Sequence, residues 1–230
     1  MSSATDFDQF AEDYDALLEQ GLSSTGEGKD YFARGRVLWL RRCLERRRIR
    51  PRMVMDFGCG TGSAIPYLLE LLGAESVVGA DVSQKSLKVA RAANGSERVA
   101  WILLGRDPEP EGIDLAFCNG DFHHIPPGER AAAVRYLFRA LRPGGIFALW
   151  ENNPWNPGTR YLMSRTPLDA RAVPLAPPES RRMLAAQGFE VLQTDFLFIF
   201  PRVLAFLRRL EPPLCRLPLG GQYQVLALRP

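Results

Sequence analysis

Asp56-Phe57-Gly58-Cys59-Gly60-Thr61-Gly62 is the stretch that decides the fold of this 230-residue chain. It follows the apolar run Met53-Val54-Met55 and precedes a helix-like segment, Ser63 to Leu72. A strand, a tight glycine turn and a helix in this order let the backbone approach a nucleoside-bearing ligand, because glycine has no Cβ to block the approach. The stretch therefore predicts a turn that forms one wall of a cofactor pocket.

The spacing of glycines and acidic residues around this turn distinguishes a dinucleotide cofactor from a nucleoside cofactor that carries an amino group. A dinucleotide site has the pattern G-x-G-x-x-G, and Ser63 stands where its third glycine should fall. Asp56 precedes the first glycine, at a point where a carboxylate suits an amino group and repels a diphosphate. Asp81 closes the next apolar run, where it can accept hydrogen bonds from both hydroxyls of a ribose or cap the following helix. These residues disfavour a nicotinamide cofactor and a turn without a ligand.

Apolar runs of strand length alternate with helical patterns between residues 53 and 151. The predicted strands are Met53–Phe57, Ser76–Val82, Arg98–Leu104, Ile113–Asn119 and Ile146–Glu151, and the helices between them are Ala64–Leu72, Gln84–Ala93 and Gly128–Leu141. Such alternation is typical of a parallel sheet that is covered by helices on both faces. Two later strands, Phe189 to about Phe200 and Gln222–Leu228, predict an antiparallel hairpin at one edge of the sheet.

A single domain is predicted, because 230 residues can bury a substantial core and no repeat or low-complexity linker divides the chain. Residues 1–50 are expected to form a helical lid, residues 51–152 the cofactor-binding core, and residues 153–230 a substrate-side loop and the terminal hairpin. Residues 152–178 are rich in Pro and Asn, which predicts a long loop with about one helical turn.

Composition narrows the function further. The net charge of +3 is too small to indicate binding to nucleic acid or to a membrane. The cysteines have neither metal-ligand nor disulfide spacing, so we predict no metal site and a cytoplasmic location. Residues 1–10 lack the basic and apolar regions of a signal peptide, and the apolar run from Phe196 to Leu207 is too short to span a bilayer.

Three segments together resemble the successive motifs of class I S-adenosylmethionine-dependent methyltransferases. They are the glycine turn, Gly79-Ala80-Asp81-Val82-Ser83 and Leu141-Arg142-Pro143-Gly144-Gly145, within a region from about residue 53 to residue 151. The resemblance implies a Rossmann-like α/β fold, with a doubly wound seven-stranded sheet that is mostly parallel and ends in a C-terminal antiparallel hairpin. It also implies that the cofactor is S-adenosyl-L-methionine.

The same resemblance assigns most of the predicted cofactor-binding residues. The glycine turn would hold the methionine part of the cofactor, Asp81 the ribose, and Val82 and Asp107 the adenine. Asn119 ends the fourth strand, at the edge where open α/β sheets place ligands, and Tyr14 of the lid would either reach the cofactor carboxylate or pack. The full predicted set is Asp56, Gly58, Cys59, Gly60, Gly62, Asp81, Val82, Asp107, Asn119 and Tyr14.

Two adjacent histidines, His123 and His124, follow the fourth strand and are the only ones in the chain. Either is a candidate catalytic base that removes a proton from a hydroxyl or amine as the methyl group arrives. The alternative is that they pack under the cofactor or cap the following helix. Methyl transfer from a sulfonium needs little acid–base help, because holding donor and acceptor in line supplies most of the rate.

The predicted substrate-binding residues follow the fifth strand. Glu151, Asn152 and Asn153 could hydrogen-bond an acceptor that Trp155 covers, or Asx turns could simply hold this loop in place. Adenine methylation in nucleic acid is not expected, because an Asn/Asp-Pro-Pro-aromatic motif does not follow the fourth strand.

The sequence therefore predicts a methyltransferase that transfers a methyl group to an oxygen, nitrogen or carbon atom of a small molecule, with an apolar or lipid-linked molecule as one candidate. Peripheral contact with a membrane or lipid is considered because the apolar segment ends in Arg208-Arg209. Two alternatives stay open. An NAD(P)-dependent oxidoreductase is opposed by Ser63 and Asp56, and a non-catalytic nucleoside-binding subunit would be expected to lose the glycines or Asp81.

Overall fold

The computed structural model describes residues 21–22 and 25–230. From residue 25 onwards the strands are β1 (Met53–Phe57), β2 (Ser76–Asp81), β3 (Val99–Leu103), β4 (Ile113–Asn119), β5 (Leu141–Asn152), β6 (Glu190–Leu197) and β7 (Gln222–Leu228). The α-helices are α1 (Lys29–Glu45), α2 (Ile65–Leu71), α3 (Gln84–Asn94), α4 (Arg130–Ala140), α5 (Pro157–Arg165), α6 (Pro177–Ala186) and α7 (Glu211–Leu214). Two 3₁₀ segments, Pro167–Asp169 and Arg202–Leu210, lie between them.

One mixed sheet contains all of these strands, in the order β3-β2-β1-β4-β5-β7-β6. Strands β1 to β5 are parallel to one another, whereas β7 pairs antiparallel with both β5 and β6. The strand order reverses between β1 and β4, and open α/β sheets bind ligands in the crevice outside the carboxyl ends of the strands at such a point. The predicted doubly wound sheet with an antiparallel C-terminal hairpin is confirmed.

Helices cover both faces of this sheet. On one face α1 and α2 bury apolar side chains such as Leu40 and Leu68 against the strands. On the other face α4 and α6 do the same with Leu137 and Leu184. Helix α1 thus belongs to the body of the fold, which differs from the expectation of a lid for residues 29–45. Tyr14 and the rest of the expected lid lie outside the described residues.

The largest differences from the predicted strand bounds are the start of β5, which a distant contact extends, and the end of β6, which a local backbone turn stops. β5 begins at Leu141 instead of Ile146, since the N–H of Gly144 and the carbonyl of Gly145 both hydrogen-bond to the backbone of Arg229 at 2.8 Å. β6 ends at Leu197, because Phe198 adopts a left-handed φ of 60° that an extended strand does not allow.

The segment after β5 contains more helix than the sequence predicts. Asn156 caps α5 by accepting the N–H of Thr159 at 3.0 Å, and Pro157 is the first helical residue. Both are ordinary signals of a helix start, but they stand in a Pro- and Asn-rich segment whose composition predicts a loop.

None of the helices within residues 21–22 and 25–230 combines the length and the apolar character that crossing a membrane requires. The longest of them, α1, has 17 residues.

Candidate active site

The glycine turn connects β1 to α2 at the carboxyl edge of the sheet. The N–H groups of Gly58 and Cys59 donate to the carbonyl oxygen of Ala80 at 2.8 and 3.0 Å, which ties the turn to the end of β2. Gly58 and Gly60 have φ values of 69° and 52°, in the left-handed region that favours glycine. A Cβ on Gly60 would meet no atom within 4 Å, so this side of the turn is open to a ligand.

Asp81 lies at the end of β2 and binds the glycine turn directly. One carboxylate oxygen accepts the N–H of Gly60 at 2.8 Å, and the other accepts the N–H of Ser83 at 2.7 Å. The side-chain cap of α3 is Ser83, whose hydroxyl accepts the N–H of Ser86 at 3.0 Å. Because a carboxylate oxygen offers two acceptor positions, binding the turn and binding a ribose do not exclude each other.

Three carboxylates surround the turn at the ends of neighbouring strands: Asp56 of β1, Asp81 of β2 and Asp121 after β4. Burial, followed by the charge of Asp81, raises the pKa of Asp56 to about 7. Burial also raises the pKa of Asp121 to about 8, with smaller contributions from the charges of Asp81 and Glu151. Carboxyl groups in such surroundings are strongly favoured in their charged form by a cationic ligand.

Asp121 is a site residue that is missing from the sequence-predicted set. Its Cγ lies 2.5 Å from the position that a Cβ of residue 58 would take, so only a glycine there leaves room for the carboxylate. The sequence does contain a signal for this position of Asp121. The residue comes shortly after β4, and the carboxyl ends of parallel strands meet at one edge of the sheet.

The other predicted cofactor residues have varied surroundings. Cys59 is buried, which raises the pKa of its thiol well above the usual range, and it contributes its backbone to the turn. Val82 packs against the core beside α4, and Asn119 ends β4. Asp107 is exposed, and its carboxylate accepts the N–H of Leu103 at 2.7 Å at the end of β3. The adenine contact of Asp107 stays a prediction.

The two histidines differ strongly in their surroundings. His123 is 3% exposed, with its Nδ1 at 2.6 Å from an oxygen of Glu151 and its Nε2 at 3.4 Å from Asp169. Burial lowers the pKa of His123, but the two carboxylates outweigh it and raise the pKa to about 10. Burial and then the charge of His123 lower the pKa of His124 to about 3. Since both ring nitrogens of His123 face carboxylates, it is poorly placed to act as a base.

Two of the predicted substrate-binding residues are turned into the protein. Glu151 is 1% exposed, accepts the N–H of Phe122 at 2.9 Å and pairs with His123. Asn153 is fully buried and donates to the carbonyl oxygens of Pro218 and Gly220 at 3.2 and 2.8 Å. These contacts hold the loop in place, as in the Asx-turn alternative.

The other two predicted substrate-binding residues lie towards the hairpin edge of the sheet. Asn152 accepts a hydrogen bond from the side chain of Gln222 at 3.2 Å. Trp155 is 50% exposed, stacks on Phe196 with 6.3 Å between ring centroids, and lines an open groove of about 600 Å³ beside α6 and β6. Both side chains therefore lie closer to the β7–β6 edge than to the glycine turn.

A buried arginine joins the loop after β4 to the segment that covers it. Arg130 is 3% exposed and donates through Nε to the carbonyl oxygens of Phe122 and Ile125 at 3.1 and 2.9 Å. Its Nη2 donates to the carbonyl oxygen of Val173, whose own N–H donates to the carbonyl oxygen of His123 at 2.8 Å. The segment around residue 173 is therefore fixed above the histidines.

Comparison with known proteins identifies a region of the chain that is similar to methyltransferase domains. Residues 54–145 match the family model described as a methyltransferase domain. Trans-aconitate 2-methyltransferase of Azoarcus sp. is 34% identical over 116 residues, which are 50% of this chain and 44% of that protein. The chain spans between 35% and 50% of the length of the curated relatives that it matches.

Solved structures resemble the whole chain in fold. A methyltransferase of Haloferax volcanii, in complex with the Trm112 methyltransferase activator, has a TM-score of 0.66 at 18% identity and covers 97% of each chain. Magnesium protoporphyrin IX methyltransferase of Synechocystis with bound SAH has a TM-score of 0.63 at 19% identity, again over 97% of each chain. The region that matches the methyltransferase-domain model contains the glycine turn and Asp81 and lies on a Rossmann-like sheet, an arrangement similar to that of class I S-adenosylmethionine-dependent methyltransferases.

Proposed function

We propose that this protein transfers a methyl group from S-adenosylmethionine to an oxygen, nitrogen or carbon atom of a small molecule. The observation that carries the proposal is the set of three carboxyl groups at the glycine turn: Asp81 accepts the N–H of Gly60, Asp121 packs against Gly58, and the charge of Asp81 acts on both Asp56 and Asp121. A ligand for this site should combine positive charge with hydroxyl donors.

S-adenosylmethionine fits these demands through its ammonium group, its sulfonium and its ribose. When bound, it supplies a methyl group on a positively charged sulfur that a nucleophile can attack in line. In this proposal Asp81 would accept the ribose hydroxyls, while Asp56 and Asp121 would stabilise the positive charges. The left-handed backbone of Gly60 leaves room for the methionine part beside the turn.

The two alternatives from the sequence fit the site less well. The diphosphate of NAD(P) would stand beside buried Asp56 and Asp81, where its negative charge would be repelled by the Asp81 carboxylate and would oppose ionisation of Asp56. A non-catalytic nucleoside-binding subunit has no need of an acceptor site, so a measured methyl transfer would separate it from the enzyme.

Two segments that lie over the carboxyl edge of the sheet, the one around Val173 and the loop after β5, support a small acceptor. Arg130 and His123 fix the segment around Val173, and Asn153 fixes the loop after β5 to residues 218–220. A long polymer would have to displace these contacts, whereas a small molecule would not. The similar trans-aconitate 2-methyltransferase is named for a small-molecule substrate.

An apolar or lipid-linked acceptor, and peripheral lipid contact, rest on the exposed apolar side chains of the 3₁₀ segment Arg202–Leu210. Val203 is 83% and Phe206 is 68% exposed, and Arg209 lies beside them. The predicted cytoplasmic location is compatible with four free, buried cysteines.

Within this proposal the histidines have different roles. His123 is a positioning residue that joins Glu151 to Asp169. His124, with a side chain that is 16% exposed, is the better candidate for contact with the acceptor. In-line placement of the acceptor supplies most of the rate in either case.

Calorimetric titration of the full chain with S-adenosylmethionine, its demethylated product and NAD tests the cofactor. We expect saturable binding of the first two and none of NAD. Absence of binding by both sulfur compounds would reject the proposal, and tight binding of NAD would favour the oxidoreductase. Incubation with radiolabelled S-adenosylmethionine and small-molecule pools then tests for an acceptor.

Cofactor binding is expected to release protons below neutral pH. In the ligand-free protein the raised pKa of Asp56, about 7, keeps the carboxyl protonated, and a neighbouring cation favours ionisation. Affinity should therefore rise between about pH 5 and pH 8 and level off above, because Asp121, with a pKa of about 8, ionises over the upper part of this range. Calorimetry at pH 6 in two buffers of different ionisation enthalpy measures the release, and Asp56→Asn should release fewer protons. Equal release by both proteins would contradict the role of Asp56.

A further inference from the structure

Two imidazoles and a carboxylate lie close together next to the loop after β4. His123 Nε2 lies 3.4 Å and His124 Nε2 3.7 Å from the same oxygen, Oδ1 of Asp169. All three atoms lie within 4.8 Å of one another. Asp169 ends the 3₁₀ segment Pro167–Asp169, whereas the histidines follow β4, so the tertiary fold brings this set together.

The hydrogen bond between Nδ1 of His123 and Glu151 determines whether the other ring nitrogen, Nε2, is a donor or an acceptor. Its Nδ1 lies 2.6 Å from the Glu151 carboxylate, which accepts only, so Nδ1 carries a proton. In the neutral ring Nε2 is then an acceptor that points at another acceptor, Oδ1 of Asp169. A positive species is needed between them, and a proton on Nε2 or a metal ion can provide it.

The arrangement has the second layer of contacts that metal sites use. A histidine ligand commonly donates its other ring N–H to a carboxylate, which orients the ring and increases its basicity. Glu151 has this position and is itself held, since it is 1% exposed and accepts the N–H of Phe122 at 2.9 Å. His123 is therefore oriented with Nε2 towards Asp169 before any ligand binds.

The separations of Asp169 Oδ1 from the two histidine nitrogens are close to those of a coordinated set, and the two nitrogens lie within 4.8 Å of each other. Nitrogen and oxygen ligands at about 2.0–2.2 Å from a tetrahedral zinc ion are separated by about 3.3 Å. The separations of 3.4 and 3.7 Å exceed this by a few tenths of an ångström. His124 and Asp169 have side chains that are 16% and 13% exposed, so an ion can reach the site from solvent.

We propose that His123 Nε2, His124 Nε2 and Asp169 Oδ1 bind one divalent transition-metal ion. Two imidazoles and one carboxylate suit zinc, cobalt, nickel or iron(II), whereas magnesium prefers oxygen ligands. Three protein ligands leave coordination positions open to another molecule. The bound ion would also fasten the segment that contains Asp169 to the loop after β4. The sequence-based prediction of no metal site would then be wrong, and this proposal stands independently of methyl transfer.

Metal binding can be measured without an activity assay, and two histidines in the chain keep the spectra simple. The full chain is treated with a chelator, dialysed and titrated with Zn²⁺ or Co²⁺ by calorimetry, with ¹⁵N spectra of the histidine side chains. We expect one ion per chain, large shifts of both Nε2 signals and no comparable effect of Mg²⁺. Asp169→Asn and Glu151→Gln should each weaken Zn²⁺ binding by about 10-fold or more.

The matched control is Glu97→Gln, an exposed acidic position ahead of β3 that should keep the affinity of the unchanged protein. Thermal unfolding of each variant shows that it is folded before titration. The proposal is overturned if the folded protein shows no saturable Zn²⁺ or Co²⁺ binding, or if Asp169→Asn binds as tightly as the unchanged protein. It is also overturned if the Nε2 signals keep the pattern of a protonated His123 in the presence of metal.

Discussion

Replacing Asp81 by asparagine is expected to weaken binding of S-adenosylmethionine by about 10- to 150-fold. A hydrogen bond to a charged group contributes about 1.5–3 kcal/mol, and the substitution removes the charge that accepts the ribose hydroxyls. The amide also offers one acceptor oxygen where the carboxylate holds the N–H groups of both Gly60 and Ser83. Calorimetric titration of the folded variant measures the loss.

The control for this substitution is Glu97→Gln, which removes an exposed charge ahead of β3, where the strand begins far from the carboxyl edge. Its affinity for the cofactor should change less than about 3-fold, because exposed charges act weakly at a distance. Asp81→Ala tests whether the new amide, and not the lost charge, causes the effect. An affinity of Asp81→Asn and Asp81→Ala within 3-fold of the unchanged protein would reject the ribose assignment.

Replacing Arg130 by methionine is expected to lower the free energy of unfolding by about 3–5 kcal/mol. Methionine keeps much of the apolar volume of the arginine stem but removes the charged donor from the carbonyl oxygens of Phe122, Ile125 and Val173, of which only that of Phe122 keeps a backbone donor, the N–H of Ile125. Hydrogen bonds from a charged donor contribute about 1.5–3 kcal/mol each, and the part-buried carbonyl oxygens of Ile125 and Val173 recover some of this by binding water. Urea unfolding followed by circular dichroism measures the change.

Arg135→Met is the matched control, because Arg135 lies on the same helix, α4, but is exposed and makes a 3.4 Å hydrogen bond to Gln187. The free energy of unfolding should then change by no more than about 0.5 kcal/mol. Equal stabilities of Arg130→Met and Arg135→Met would show that the buried contacts of Arg130 do not hold the loop.

Several elements could be predicted to the residue. The strands Met53–Phe57, Ile113–Asn119 and Gln222–Leu228 have the bounds that their apolar runs predict. Each of these runs is bounded by glycine, proline or polar residues, and local signals of this kind decide where a strand starts and stops. The start of β5 depended instead on backbone pairing with Arg229, some 85 residues away, which no local pattern encodes.

The parts of the candidate site also differ in whether local sequence predicts them: the glycine turn is predictable, and the contacts of the covering segment are not. The glycine turn, Asp56 and Asp81 belong to a short strand–turn–helix–strand unit, so their spacing alone predicts the cofactor pocket. Asp169 meets the histidines, and Arg130 meets Val173, across more than 40 residues of chain. Contacts of this range depend on how the covering segment packs, and the Pro- and Asn-rich composition of that segment predicts only a loop.

The sequence by itself determined the doubly wound fold and the cofactor-binding turn, because strand alternation and glycine spacing act through local backbone geometry. Only the tertiary structure decided that Glu151 and Asn153 turn inwards, that Asp121 packs against the glycine turn, and that His123 is enclosed by two carboxylates. Those outcomes depend on which side chains from distant segments share a buried volume. A buried polar group must find its partner there, wherever that partner lies along the chain.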